Sequence, residues 1–159
     1  KMAHEYRATV AWQRGDQAFT DNKYSRGHVW RFDGGIEVPG SSAPAVVPVY
    51  SVEAAVDPEE AFVASLSSCH MLFFLAFAGK YGYRIDSYED KAVGEMAKNE
   101  AGKLYVAKVT LNPDIVFSGD KRPSAEEVEK LHHRAHVECF IANSVKSDVI
   151  VAPMPLRFA

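Results

Sequence analysis

The chain predicts an α+β domain, an antiparallel β-sheet with a buried central helix. Three observations lead there. Residues 61–78 carry almost no charge, so the helix they form needs apolar cover on most sides. Residues 83–96 and 104–117 are alternating, β-rich runs on either side of Lys98-Asn-Glu-Ala-Gly102, the pattern of a β-hairpin. Further strand-like and helix-like segments complete the order β-β-(β)-α-β-β-α-β.

Residues 4–12 alternate loosely and read as a strand, followed by a turn signal at Gly15-Asp16. Tyr24-Ser-Arg-Gly27 is a loop leading into a second strand over 28–32, and Asp33-Gly-Gly35 turns the chain. Residues 39–48, rich in Pro, Ser and Ala, read as a loop. Asp57 is suited to the N-cap, Pro58 to the first helical position and Glu60 to the third. The carboxylates of Glu59 and Glu60 also favour the positive end of the helix dipole. Gly79 and Gly82 are stop signals. Pro113 suits an edge or a bulge, because it has no N–H for a sheet ladder. Ser124-Ala-Glu-Glu127 is a capping box that opens a second helix running to about residue 138. Residues 148–158 form the last strand. No repeat, low-complexity tract or linker interrupts the chain, so one domain over 1–159 is expected. The apolar helix exceeds the cover that one domain of this size supplies, so a homodimer is expected.

The composition narrows the function classes. The apolar share of 47% sustains a core without disulfide staples. A net charge of −3 argues against nucleic acid or an anionic membrane as partner, since both favour basic surfaces. The longest strongly apolar run, residues 71–78, is too short to span a bilayer. The first residues lack the apolar region and cleavage site of a signal peptide. Two cysteines do not make a secreted disulfide framework, so a cytoplasmic location is expected. No Gly-rich turn precedes a Lys-Ser or Lys-Thr helix start, and no carboxylate pair suggests glycoside chemistry.

The segment from Asp57 to Cys69 carries one cysteine to the middle of the first helix. Cys139 lies seventy positions on, near the end of the second. Two thiols on two helices support a thiol–disulfide cycle if the fold brings them together. Read as packing, free cysteines are among the most buried residue types.

Asp57-Pro-Glu-Glu60, the small-residue helix ending in Ser68-Cys69, the upstream Ser25-Arg-Gly27 and Ala135-His-Val-Glu-Cys139 resemble the OsmC/Ohr family, the osmotically inducible and organic hydroperoxide resistance proteins. Order and spacing of elements match along nearly the whole chain. The resemblance implies an intertwined homodimer with two active sites at the subunit interface, and thiol peroxidase activity on organic hydroperoxides. It implies Cys69 as peroxidatic cysteine, Cys139 as resolving cysteine, Arg26 as activating arginine and Glu59 as its carboxylate partner. It further implies a dithiol reductant of lipoyl type and no bound cofactor. The chain departs from the family where Phe140, not Pro, follows the second cysteine, and where His70 follows the first.

A peroxide-reducing cysteine reacts as thiolate. Cys69 lies about three turns into its helix, beyond reach of the dipole, so a cation must activate it. Arg26 stays charged and can hold thiolate and peroxide oxygen together, and Glu59 can fix the guanidinium through a bidentate pair. Glu59 and Cys69 are separated by ~15 Å on one straight helix and point roughly 80° apart. Glu59 is therefore expected at the Cys69 of the partner subunit, with Arg26 bridging them. Phe62, Leu66, Phe73 and Phe140 are candidates for an apolar substrate pocket, or else ordinary core residues at helical spacing.

Three rival readings stand beside this one. His132, His136 and Cys139 at helical spacing, with Cys69, suggest a zinc set, against the plainer reading of half-exposed histidines near a helix C-terminus. His70 reads as a packing or interface residue. A thiol hydrolase using Cys69 needs His70 or His136 within hydrogen-bond reach of the sulfur. A non-enzymatic, dimeric stress or ligand-binding protein keeps the fold and an apolar pocket without redox chemistry.

Overall fold

A computed structural model describes residues 3–159, and the chain divides into two compact units, Lys1–Ala61 and Phe62–Ala159. The first unit holds a three-stranded antiparallel sheet, β1 (Ala8–Ala11), β2 (His28–Phe32) and β3 (Glu37–Gly40), in the order β1-β2-β3. The expected strand over 4–12 shortens to β1. The segment expected as a loop from residue 39 begins inside β3, because Pro39 pairs with Val29 and has no N–H to lose. Beyond β3 the chain is held by Ser41, fully buried, whose hydroxyl accepts the Val52 N–H at 2.8 Å. Trp12, Phe19 and Tyr24 cluster with ring centroids 4.8–5.8 Å apart.

The first helix, α1 (Pro58–Lys80), starts where the sequence places it. Asp57 Oδ1 accepts the Glu60 N–H at 2.8 Å, and Glu60 Oε1 accepts the Asp57 N–H at 3.3 Å. Each thus satisfies one helix-end donor. At the other end Gly82 adopts φ +84°, and the Tyr83 N–H donates to Ala78 O, a glycine-dependent stop.

The second unit carries two further three-stranded sheets. One has the order β4-β7-β9, from Arg84–Asp90, Pro113–Ser118 and Arg157–Phe158. The other has the order β5-β6-β8, from Val93–Lys98, Leu104–Leu111 and Asp148–Val151. The β5–β6 hairpin is as expected. The two long runs, however, each break in the middle. Asp90 accepts the Asn112 N–H at 2.6 Å, Asn112 donates its amide to Lys91 O at 3.1 Å, and Pro113 offers no N–H. These polar ties replace ladder bonds at one height and let the ribbon pass from one sheet to the other. Pro113 thus opens the central strand β7 and is fully buried, rather than lying on an edge.

The last strand also differs from expectation. Pro153 and Pro155 interrupt it, and its halves pair parallel to β6 and to β7 respectively. The fold is α+β as expected, but the two sheets of the second unit are mixed rather than purely antiparallel. The second helix, α2 (Ala125–Glu138), opens on a reciprocal box between Ser124 and Glu127, with bonds of 2.9 and 3.1 Å. Replacing Ser124 by Ala is expected to cost about 1 kcal/mol, checked by urea denaturation. An unchanged midpoint would show the cap to be redundant.

Within this unit α1 lays a stripe of Leu66, His70, Phe74 and Ala78 into the interior. Phe74 and Ala78 share one core with Phe117 and with Val128, Leu131 and Ala135 of α2. Leu66 joins a second core with Val109 and Leu111. Gly94 admits the helix closely, since a Cβ there would stand 2.6 Å from Val63 Cγ2. Only that one stripe of α1 is buried in the single chain, not most sides, and Leu72 is 59% exposed. By length and composition α1 is long and apolar enough to cross a membrane, which the short run at residues 71–78 did not suggest. Its buried stripe packs instead on sheet and helix.

Candidate functional site

Cys69 sits in the middle of α1, half-buried. Cys139 caps the C-terminus of α2 and is 1% exposed. The shared core of α1 and α2 brings the two free thiols together. Burial pushes the Cys139 thiol up to about 11. The backbone N–H of Ala142 opposes this, donating to Cys139 Sγ at 3.4 Å, while the neighbouring Cys69 thiol adds to the rise through a hydrogen bond and through charge. The Ala142 donor comes from a short 3₁₀ turn, Ala142–Ser144, that begins three positions after Cys139. The two thiols thus lie within interaction distance of each other.

Phe73, one turn beyond Cys69, meets Phe140 edge-on with centroids 5.1 Å apart. Phe140 is 71% exposed, so the two rings offer an apolar edge beside the thiols. Leu66 offers none. It is 1% exposed within the second core, where Phe62 also packs. For Leu66 the core reading replaces the substrate-pocket reading, because a closed side chain has no surface to present.

Arg26 lies in the first unit. Its guanidinium donates to Asn22 Oδ1 at 3.0 Å and to Tyr24 O, and lies 3.7 Å from the centre of the Tyr24 ring. Among the described residues it makes no ion pair. Glu59 is in the first turn of α1, and its Oε2 is buried without a hydrogen-bond partner among the described residues. The helix runs unbroken past Cys69, so ten residues, about 15 Å, separate Glu59 from that sulfur along it.

The histidines depart most from expectation. His133 is exposed and His136 half-buried, but His132 is 3% exposed and His70 1%. His70 Nε2 and His132 Nδ1 are 2.9 Å apart, with rings nearly parallel at 8°. Phe74 stacks on His132 at 4.2 Å. Burial, and then the nearby His136, lowers His70 to about 4, with Asp90 opposing. Burial, and then His70, lowers His132 to about 3. Both rings are neutral near pH 7. His70 thus turns to another histidine and not to the Cys69 sulfur, which removes one of the two bases considered for a thiol hydrolase. Among the described residues no three His, Cys, Asp or Glu side chains converge to hold a metal ion, so the zinc set does not assemble. A signal for the histidine pair was present in the sequence. His70 falls on the four-residue spacing of Leu66, Phe74 and Ala78.

A profile of the family described as OsmC-like protein matches residues 51–153. Among solved structures, an OsmC-like protein of unknown function from Vibrio cholerae is 55% identical, covers 96% of this chain and 100% of its own, and superposes with a TM-score of 0.94. An organic hydroperoxide resistance protein from Elizabethkingia anophelis, bound to thiocyanate, is 17% identical over 100% of this chain and 99% of its own, with a TM-score of 0.70. One from Bacillus subtilis is 19% identical over 98% of each chain, with a TM-score of 0.59. No curated protein matches the chain.

Proposed function

The chain belongs to the OsmC-like protein family, and from that premise we propose that it is a thiol-dependent peroxidase that reduces organic hydroperoxides to alcohols. The observation that carries the reading is the meeting of Cys69 and Cys139, the chain's two cysteines, across two helices. Proteins of the same fold bear the name organic hydroperoxide resistance protein, which supports the substrate class.

The cycle has three steps. The Cys69 thiolate attacks the distal oxygen of the hydroperoxide, the O–O bond breaks, and the alkoxide leaves as alcohol after taking a proton. The Cys139 thiol then condenses with the Cys69 sulfenic acid, forming a disulfide and releasing water. A small dithiol, of lipoyl type in this reading, exchanges with the disulfide and leaves as its own disulfide. No cofactor enters the cycle. Phe73 and Phe140 supply an apolar edge for the alkyl part of the substrate.

The protein works as a homodimer in this reading. The unburied faces of α1 are apolar, which favours cover by a second copy. In the dimer Arg26 and Glu59 come together at the Cys69 of the partner subunit. The buried, unpartnered Glu59 Oε2 supports that assignment, since a guanidinium satisfies such an oxygen. A reducing cytoplasm suits an enzyme whose resting state is two thiols.

The test is the intact mass of reduced protein after one equivalent of cumene hydroperoxide. A loss of two mass units is expected. An unchanged mass would leave a ligand-binding protein of the same fold as the better reading.

A further inference from the structure

We propose that the buried hydrogen bond between His70 and His132 is a positioning tie, which sets the height of α1 against α2 and so brings Cys69 opposite Cys139. This inference rests on the two-thiol part of the function proposed above, and needs no hydroperoxide to be tested.

The packing between the helices is otherwise apolar. The buried stripe of α1 is Leu66, His70, Phe74 and Ala78, and that of α2 is Val128, Leu131, His132 and Ala135. Apolar side chains of similar size tolerate several packings, and lose uniqueness of arrangement before they lose stability. Each stripe has one polar member, and the two polar members meet at 2.9 Å. A slip of α1 by one turn, about 5.4 Å, would leave an unpartnered imidazole on each helix. A disulfide tolerates far less, since its Cβ atoms must lie about 3.5–4.5 Å apart. His70 is next to Cys69 and His132 is two turns before Cys139, so the tie acts within ten ångströms or so of the sulfurs.

The tie needs at least one ring neutral, and burial keeps both so near pH 7. One N–H is shared, so whichever ring donates it, the other accepts with a bare nitrogen. Phe74 stacked on His132 keeps the ring in plane, and burial keeps the protons off. His136 on α2 and Asp90 on β4 are the titratable groups that face the pair. Neither His70 nor His132 touches the reacting sulfur in this proposal. Both act through the helices that carry the thiols.

The experiment equilibrates the protein with reduced and oxidised glutathione at pH 7.5. Protein dithiol and glutathione disulfide yield protein disulfide and two glutathiones, and alkylation with mass spectrometry reads the ratio. Two double variants are compared with wild type. His70→Leu with His132→Leu keeps the volume and removes the bond. His70→Gln with His132→Asn keeps a bond, because Gln presents its amide near the Nε2 position and Asn near Nδ1. The leucine pair is expected to lower the equilibrium constant for disulfide closure by tenfold or more while retaining a cooperative melt. The amide pair is expected to stay within about threefold of wild type. Closure by the leucine pair equal to wild type would overturn the tie. If the leucine pair does not fold, the amide pair decides, and a tenfold loss there would overturn it. A wild-type protein that forms no intramolecular disulfide in the glutathione buffer would also overturn it. Failure of hydroperoxide to oxidise a protein that closes normally with glutathione would instead defeat only the peroxidase reading.

Discussion

Replacing Cys69 by Ser is expected to lower hydroperoxide reduction by at least about 10³-fold, equivalent to ~4 kcal/mol of transition-state stabilisation. A serine hydroxyl is a poor nucleophile with no adjacent base, and His70 is engaged by His132 and not free to supply one. The Cys139→Ser variant should behave differently. Its first turnover should proceed at the wild-type rate and release one alcohol per chain, and the protein should then carry a sulfenic acid or a higher oxide on Cys69. Loss of the first turnover in Cys139→Ser, with Cys69→Ser unaffected, would reverse the two roles. The burial that raises the Cys139 thiol to about 11 adds a pH signature. Near pH 7 this thiol is almost wholly protonated, so the resolving step should accelerate as pH rises through the neutral range. Stopped-flow measurement of disulfide closure after a single equivalent of peroxide checks this, and a rate independent of pH from 7 to 9 would count against Cys139 as the attacking group.

Acid is expected to destabilise the fold through the two buried histidines. In an unfolded chain imidazole titrates near 6.5. In the folded protein His70 titrates at about 4 and His132 at about 3. Both folded values are depressed, so the unfolded chain binds protons that the folded chain does not. The contribution is complete above pH 6.5 and is lost as pH falls from there towards 3. At pH 5 the two sites together penalise folding by about 4 kcal/mol if they act independently, and by less because they share one hydrogen bond. His136 facing His70 steepens the loss, and Asp90 eases it. Urea midpoints at pH 7.5 and pH 5 measure the effect, with the His70→Gln, His132→Asn variant as reference. Wild type should lose several kcal/mol more than the variant over that interval. Equal losses would mean that the imidazoles are reached by protons and water in the native state.

Much of this protein follows from short-range chemistry that a sequence states directly. The starts of both helices depend on reciprocal bonds three residues apart, Asp57 with Glu60 and Ser124 with Glu127, and both form where the residues place them. Gly82 ends α1 because its own backbone allows a positive φ. The β5–β6 hairpin depends on alternation around one turn. The two cysteines stood out by residue type and placement on two helices, and Arg26 and Glu59 through the resemblance to the OsmC/Ohr family.

What only the tertiary structure decided depends on partners far apart in sequence. Asp90 meets Asn112 across the ribbon and splits each long run into two strands, and nothing local to either residue announces that meeting. The chain after α2 pairs parallel with β6 and β7, a choice made by the sheets it joins. Leu66 is core and Phe140 is exposed, although both look like apolar residues suited to a pocket. His132 is buried, not half-exposed, because α1 offers His70 sixty-two positions earlier as its hydrogen-bond partner. A sequence states what a side chain can bond to, and the fold decides whether the partner or water is there to receive it.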